Sequence, residues 1–485
     1  MDDNILSKEN RQLIPRWHTS KKTIKLNFPN EVKKTVLGSE GDYWLIKSVA
    51  EWQNDRNLTN AIDLYIRLIE SDLAEHSLYP EVYNQLLTSL EELPEVVREF
   101  VIPNNLNSHS QGYSTDPSHI RLIIKKLKNN IANNPRDSWG WMDLGFYYSV
   151  LGELEKAEHH TSVARNLDSN NSFIARAYAR YSIHSGKPEL AEWHLRNNPY
   201  LKSDPMIFSA YMSVCNSYDV GRYNVSDARK LVNNWQGDLS RKSELLASIG
   251  TIEIKNGAIN KGKKLINQAL ESPSENVISH VSWLNHKHKI NFNQDLSENV
   301  SLEKNVNDLY SRGSFKECRD TLIKMYNFQP YSSGSISDAA YLSIIALNDL
   351  DFVKSTSDNR IPKSHMEFSE LNNLIVAKIL SGELDTIYQD IEFLRKKVDS
   401  SDTRIVGTFT ATCGMLLLKM GEHDQGQRLY EDAIDIFQKQ NDERALCVVK
   451  YFYSRMLEEV YRDKSLLIKA DAVKLGKKLG MLEIK

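Results

Sequence analysis

Three sets of small residues recur along the chain at identical spacing, and this repeat constrains the fold more than any other feature of the sequence. Within each set the steps are 7, 5 and 7 residues, and the sets are Gly145, Gly152, Ala157 and Ala164; Gly250, Gly257, Gly262 and Ala269; and Gly414, Gly421, Gly426 and Ala433. Small residues let two antiparallel helices approach closely, and a glycine between them suits a tight turn. One such hairpin cannot bury its own apolar face. The spacing therefore predicts stacked helix hairpins.

Candidate turns continue this period over most of the chain. They lie at steps of 34, 35 and 36 in a first run and 35, 34 and 39 in a second, at Gly152, Gly186, Gly221 and Gly257 and then at Gly313, Asn348, Gly382 and Gly421. Glycine, and to a lesser degree asparagine, tolerates the positive φ of a helix-ending turn. The gap of 56 residues between Gly257 and Gly313 breaks the register, which indicates an irregular helix or a change in superhelix direction.

The best-formed repeat covers residues 137–168. In it Trp141, Leu144 and Tyr148 recur at steps of three and four, so they share one helical face. With Gly145 they form the pattern W-x2-L-G-x2-Y, which resembles the tetratricopeptide repeat (TPR) family. The resemblance implies an all-α fold, a right-handed α-solenoid of stacked antiparallel helix hairpins in a TPR-like superhelix. We expect roughly eight to ten such hairpins along the chain.

The chain divides where the repeat is clear, degenerate or absent. A Ser/Asn-rich stretch interrupts the first helical pattern, and the final residues are amphipathic with a basic opposite face. A helix of this kind suits the cap that a solenoid needs, although an oligomer contact or a membrane-surface helix fits the pattern too. The predicted segments are an extended or partly ordered basic arm (1–40), an N-terminal helical block with a degenerate repeat (41–101), a linker loop (102–117), a TPR-like array (118–290), a second, more degenerate array (291–461) and a C-terminal capping helix (462–485).

The composition favours a helical protein of the cytoplasm. The 13 prolines and 21 glycines are few for 485 residues, which favours helices over loop-rich β structure. The four cysteines are far apart and form no C-x-x-C pair, so reduced thiols are expected rather than disulfides. The first residues lack the regions of a signal peptide, and no apolar stretch is long enough to span a bilayer. We therefore expect a cytoplasmic protein without membrane association.

Residues 257–263, GAINKGK, match most of a phosphate-binding loop, but their context favours the repeat. Such a loop follows a β-strand and continues with Ser or Thr, whereas here a helical pattern precedes it and Lys264 follows. His280, His286 and His288 are a possible metal fragment, but no Cys or carboxylate set completes a site. No known catalytic motif appears. The sequence predicts no enzymatic activity, no metal and no cofactor.

The family resemblance also implies where a partner would bind. In TPR arrays the first helix of each hairpin lines a concave face, which receives an extended peptide or a helix. Aromatic residues and arginines are the types that form binding hot spots. Carried onto the best-registered repeats, the positions are Trp139, Met142, Phe146, Phe173, Arg176, Arg180, Phe208, Tyr211 and Tyr218. Packing of these aromatics between neighbouring hairpins is the alternative. Met142 and Phe146 occupy the places where the family's Lys/Asn clamp for a C-terminal carboxylate would begin, which argues against that activity.

We therefore expect a non-enzymatic scaffold or adaptor that binds a partner protein or peptide along its concave face, as a subunit of a larger homo- or hetero-oligomeric complex. The alternative is a nucleic-acid-associated subunit, or a sensor or regulatory subunit of a bacterial defence or signalling system. That alternative uses basic segments: residues 1–34 carry eight Lys/Arg against four acids, and a possible patch consists of Arg121, Lys125, Lys126 and Lys128. The net charge of −3 shows no such bias for the chain as a whole.

Overall fold

The structure is a computed structural model, and it describes residues 6, 11, 13–17, 43–70, 78–93, 97–98, 101, 113, 115–237, 239–288, 290, 292, 301–357 and 361–485. Every regular element within these ranges is a helix, so the predicted all-α class is confirmed. The helices are α1 (Tyr43–Asn54), α2 (Leu58–Glu70), α3 (Tyr79–Thr88), α4 (Pro117–Asn133), α5 (Ser138–Val150), α6 (Leu154–Leu167), α7 (Ser172–His184), α8 (Pro188–Arg196), α9 (Pro205–Tyr218), α10 (Val225–Asn234), α11 (Leu239–Lys255), α12 (Ile259–Ala269), α13 (Glu275–His288), α14 (Leu302–Ser311), α15 (Phe315–Phe328), α16 (Gly334–Leu342), α17 (Leu350–Ser357), α18 (Phe368–Ser381), α19 (Ile387–Arg395), α20 (Thr403–Lys419), α21 (His423–Lys439), α22 (Glu443–Leu457) and α23 (Arg462–Leu479). A π-helical turn, Ser343–Leu347, follows α16.

The helices form two compact units. The first unit lies within Lys8–Gly112 and Ser118–Lys304, and the second is mainly Asn305–Lys485. The units therefore divide within α14, whereas the sequence predicted a division between residues 290 and 291. The predicted basic arm (1–40) and linker loop (102–117) lie mostly outside the described residues, and the described helices of the predicted N-terminal block are α1 to α3.

Each unit is built from antiparallel hairpins whose first helices stack side by side. In the first unit the hairpins are α5–α6, α7–α8, α9–α10 and α11–α12, and contacts run along the row α5, α7, α9, α11 and α13. In the second unit α18–α19, α20–α21 and α22–α23 pair in the same way, and α16, α18, α20 and α22 form the row. Because each hairpin buries its apolar face on its neighbours, this arrangement is an α-solenoid.

The predicted turns are confirmed. All eight predicted turn residues have positive φ, from 51° at Asn348 to 89° at Gly421. After several of them the next residue donates its N–H to a carbonyl five positions earlier, as Glu153 does to Tyr148 and Ala258 to Glu253. This bond satisfies a carbonyl that the helix end would otherwise leave open. The local sequence therefore determines where each of these hairpins reverses.

The close approach predicted at Gly262 is confirmed too. A Cβ on Gly262 would lie 2.6 Å from the carbonyl oxygen of Gly250 on α11, so any side chain would force the two helices apart. The element before GAINKGK is helix α11 rather than a strand, and Lys264 is exposed on α12. The stretch is thus the turn and the contact point of a hairpin. It lacks the strand that a phosphate-binding loop requires.

Two further features concern the breaks in the repeat. Helix α13 lies within the 56-residue gap and packs beside α11 as one more member of the first-helix row. At the other end α23 packs on α22 and buries Ser465, Ala472 and Gly476, as a helix that closes the last repeat would.

Among the described residues, no helix has both the length and the apolar character that a bilayer crossing demands.

Polar caps begin most of the described first helices. The side chains of Asp137, Asn171, Asp204, Asp402 and Asp442 each accept at least one backbone N–H bond at the N-terminus of α5, α7, α9, α20 or α22. These bonds satisfy amides that have no partner inside the helix. Asp137 is the cap of α5, which carries the first three predicted groove residues, and it is 3% exposed.

Replacing Asp137 with asparagine should stabilise the protein more at pH 7 than at pH 4.5. Burial raises the pKa of Asp137 to about 6, although its bonds from the N–H groups of Gly140 and Trp139 act in the opposite direction. Because the folded pKa lies above the ordinary 3.8, the folded state binds the proton more tightly, and this carboxyl's contribution to stability falls as pH rises from 3.8 to 6. Asparagine keeps the cap without the charge. Melting temperatures at both pH values measure the difference.

Alanine at the same position is the matched control. Asp137→Ala removes the charge and also the cap, so it should be about 1 kcal/mol less stable than Asp137→Asn at both pH values. A gain in stability from Asp137→Asn that is the same at both pH values would contradict the raised pKa.

Candidate functional site

The nine predicted groove residues lie on consecutive first helices, but they do not form an open groove. Three are on α5, three on α7 and three on α9. Seven of the nine side chains are buried, and only Phe173 and Tyr218 are half-buried: the buried residues are Trp139, Met142, Phe146, Arg176, Arg180, Phe208 and Tyr211. These side chains therefore do not line an open groove in this structure, for two structural reasons, and their contact with a partner stays a prediction. We call the row α5, α7, α9, α11 and α13 the first-helix face.

The first reason is packing against the N-terminal helices. Trp139 and Phe173 stack on each other with ring centroids 4.3 Å apart. Both belong to a hydrophobic cluster with residues of α1 to α3, including Trp52 and Leu64. Aromatic side chains at the start of α5 and α7 therefore join the array to the preceding helices. This is the alternative that the sequence left open for these aromatics.

The second reason is that a short piece of the predicted arm covers the face. Arg11 and residues 13–17, here called the anchor segment, have neither helical nor strand structure. Trp17 is 1% exposed and packs edge-on against Phe146 of α5 and Tyr181 of α7, with ring centroids 5.6 and 5.5 Å away. The edge-to-face arrangement is favourable because the positive ring edge meets the negative ring face.

The middle of the anchor segment is apolar. Leu13 is 1% exposed and shares a hydrophobic cluster with Phe208 and Met212 of α9 and with residues of α11 and α13. Ile14 packs on a neighbouring cluster that includes Tyr211. Its carbonyl oxygen accepts a 3.1 Å hydrogen bond from Asn276 Nδ2. The anchor segment thus crosses the face from α5 and α7 at Trp17 towards α13 at its other end.

Two arginine side chains hold the anchor segment at the α13 side of the face, although Arg16 directly precedes Trp17 in the sequence. Arg11, 4% exposed, donates from Nε to Glu303 Oε1 at 2.7 Å and from Nη2 to Glu303 Oε2 at 3.1 Å. Its Nη1 and Nη2 also donate to the backbone oxygen and to Oδ1 of Asn276, at 3.3 and 2.9 Å. Arg16 pairs with Glu275 at 3.0 Å and with Glu303 at 3.3 Å. A bidentate, charge-assisted contact of this kind is both strong and directional.

The same end holds a buried histidine. His280 Nε2 lies 2.7 Å from the hydroxyl of Thr251, and the ring stacks beside Trp283 at 5.8 Å. Burial, together with the nearby Arg11 guanidinium, lowers the pKa of His280 well below its usual 6.5. His280 is therefore neutral at physiological pH. The positive charge at this end comes from Arg11 and Arg16, and it is matched by Glu275 and Glu303.

A second buried ion pair lies deeper between α7 and α11. Arg176 Nη2 donates to Glu244 Oε2 at 2.7 Å, and the two side chains are 1% and 5% exposed. Ser274 donates to the other carboxylate oxygen at 3.1 Å. Arg176 Nε and Nη1 have no hydrogen-bond partner among the described residues. Arg176 is therefore a structural ion-pair partner rather than an exposed contact for another protein.

The sequence did not reveal the anchor segment or the acidic residues that hold it. Residues 11–17 read RQLIPRW, in which two arginines flank a glutamine and three apolar residues, and tryptophan follows. This concentration of hot-spot residue types in a segment without helical periodicity is the signal that could have identified it. Nothing comparable marks Glu275 or Glu303, since isolated glutamates at helix starts are common.

The predicted basic patch is exposed but mixed in charge. All four residues lie on α4. Lys126 pairs with Glu91 at 2.6 Å and Arg121 with Glu153 at 3.4 Å, while Lys128 lies 5.4 Å from the centre of the Tyr148 ring. Neighbouring carboxylates therefore offset part of the positive charge. Nucleic-acid binding by this patch stays a prediction.

The candidate metal and thiol residues form no site in the described part of the chain. No three His, Cys, Asp or Glu side chains are grouped there so as to hold a metal ion. The side chains of His286 and His288 lie outside the described residues. The four cysteines are not joined in disulfides; Cys413 is half-buried and the other three are buried.

Comparisons with known proteins add little to this picture. No family model matches the chain. No curated protein matches it. Among solved structures, the chain is similar to one in the structure of Naa15/Naa10 bound to HypK-THB, with 14% sequence identity and a TM-score of 0.21. The likeness covers 86% of this chain and 66%, just under two thirds, of that chain. A TM-score this low does not establish a common fold, whereas the helix contacts within each unit do establish an α-solenoid.

Proposed function

We propose that this chain is a non-enzymatic helical scaffold or adaptor that holds a partner protein by binding a segment of it along the first-helix face. The observation that supports this most is the burial of the anchor segment on that face. A surface that buries Leu13 and Trp17 and pairs Arg11 with Glu303 has the apolar sites and the charges that peptide recognition uses. TPR-like repeats, which the sequence resembles, bind peptides on the corresponding face.

The charges on this face are arranged for binding rather than for reaction. The buried guanidinium groups at this face pair with carboxylates, Arg11 of the anchor segment with Glu303 of α14 and Arg176 of α7 with Glu244 of α11. His280 donates to or accepts from Thr251 within the fold. Groups paired in this way are poor general acids or bases, which supports the non-enzymatic part of the proposal.

The experiment places a photo-crosslinking amino acid at Phe173 or Tyr218, the half-buried positions of the face, in the full chain expressed in its native cells. Trp193, 49% exposed on the second helix α8, is the matched control position. We expect a discrete partner protein crosslinked from the first two positions and absent from Trp193. Crosslinks to a partner from Trp193 alone would contradict the assignment of the face.

The basic residues provide the alternative, a nucleic-acid-associated or regulatory subunit. A crosslinker at Lys125, which is exposed on α4, tests it in the same cells. Capture of nucleic acid there, with no protein at Phe173 or Tyr218, would favour that alternative. Localisation and oligomeric state stay predictions from the sequence.

A further inference from the structure

We propose that the anchor segment is a tethered ligand, and that the partner binds the first-helix face by displacing it with a segment of the same chemistry. This inference rests on the proposed function. The partner class it names is a protein segment with an arginine, a short apolar run, a second arginine and an adjacent tryptophan. It also makes residues 11–17 an intramolecular competitor for that partner.

The chemistry of the partner follows from three separate contact regions. Glu303, Glu275 and Asn276 surround guanidinium groups and contribute carboxylate, amide and carbonyl oxygens. The clusters around Phe208 and Tyr211 take aliphatic side chains. A ligand lacking the arginines would remove the positive charges that neutralise Glu275 and the buried Glu303, which disfavours it.

The third region receives an aromatic ring. Phe146 and Tyr181 hold the Trp17 indole from two sides, with interplanar angles of 75° and 72°. Both of these side chains are buried while Trp17 is present, at 0% and 2% exposure. A partner that displaces Trp17 must cover the same two rings, so an aromatic residue is required at that position.

Displacement is feasible because side chains rather than regular backbone structure hold the anchor segment. The described residues of the segment belong to no helix or strand, so its removal breaks no helical ladder. Residues 18–42 separate Trp17 from the start of α1, and 25 residues can reach at most about 85 Å. The segment can therefore leave the face while α1 stays folded. Because the anchor segment belongs to the same chain, its binding is intramolecular, and a partner in solution competes with an effective concentration on the order of 1 mM.

The test uses a fluorescent synthetic peptide of residues 8–20 and the full-length chain. In the double variant Arg11→Ala, Trp17→Ala the chain's own segment is weakened, so we expect this variant to bind the peptide at least tenfold more tightly than the wild type does. A peptide carrying the same two substitutions should lose at least tenfold in affinity for the variant. The matched control chain, Arg395→Ala, Trp193→Ala, changes an exposed arginine and an exposed tryptophan and should bind like the wild type.

Each outcome decides the inference. Equal peptide affinity for the wild type and the double variant, or equal affinity of the substituted peptide, would overturn it. Absence of peptide binding by the double variant would overturn it as well. The crosslinking experiment at Phe173 and Tyr218 tests the proposed function separately, and its result does not depend on this one. Light scattering tests whether the anchor segment binds a second copy of the chain. A wild type that is a dimer and a double variant that is a monomer would show such binding, and this outcome also contradicts displacement. Circular dichroism checks folding, and Trp17→Ala alone replaces the double variant if that variant does not fold.

Discussion

Replacing Glu244 with glutamine should lower the free energy of unfolding of the first unit by about 3–5 kcal/mol. The substitution keeps the shape of the side chain and removes the charge that pairs with Arg176 at 2.7 Å. Arg176 is 1% exposed, so its guanidinium would stay buried without a counter-charge. The desolvation of an ion is repaid only while its partner is present. Urea unfolding of the full chain, followed by circular dichroism, measures the loss.

Two further variants separate charge from packing. In Arg176→Met, Glu244→Met both charges are absent, and stability should return close to that of the wild type because apolar side chains of similar size replace a buried pair at little cost. Lys439→Ala breaks an exposed pair with Asp435 and should cost less than about 1 kcal/mol. A Glu244→Gln loss as small as that of Lys439→Ala would show that the buried pair contributes no more than a surface one.

The second large effect is expected at Gly262. Gly262→Val should destabilise the α11–α12 hairpin by about 3 kcal/mol, the upper end of the usual cost of overpacking a tight contact. The new Cβ would lie 2.5 Å from Ile254 Cγ1 and 2.6 Å from the carbonyl oxygen of Gly250. The second of these neighbours is backbone, so the helices themselves have to separate. The melting temperature of the full chain measures the effect.

Gly257, five residues earlier in the same stretch, is the matched control. It has φ of 85°, and a Cβ there would meet nothing within 4 Å. Gly257→Ala therefore carries only the backbone penalty of about 1–2 kcal/mol. If Gly257→Ala were the more damaging of the two, close helix contact would not be the reason for the glycine at position 262.

These two glycines illustrate what could be predicted before the structure was known. The turn requires a positive φ at residue 257, and the helix contact leaves no space for a Cβ at residue 262. Each requirement concerns a single position, so the glycine present there indicates it directly. The eight turns, the hairpins between them and the all-α class follow from requirements of this kind, because each depends on residues within about one repeat. The repeat spacing also predicted that GAINKGK is a turn between helices rather than a nucleotide-binding loop. Such a loop follows a β-strand, and here the helix α11 precedes the stretch instead.

The exposure of the predicted groove residues could not be obtained in this way. Phe146 and Phe208 are on the face that the repeat pattern assigns to them, but their burial depends on Trp17 and Leu13, which lie more than 100 residues earlier in the chain. Arg11 and Glu303 are 292 positions apart, and neither is unusual in its local sequence. Arg176 was predicted as a binding contact because arginine is a frequent hot-spot residue, whereas its ion pair with Glu244 makes it structural.

The sequence by itself determined the helices, their turns and the order in which the hairpins stack, since short-range sterics and the periodicity of apolar residues fix these locally. Only the tertiary structure decided what lies on the first-helix face. The anchor segment has no local structural preference that assigns it a place, and its position is set by charge and apolar surface contributed by distant helices. It binds there because Glu275 and Glu303 match its arginines while the helices bury Leu13 and Trp17.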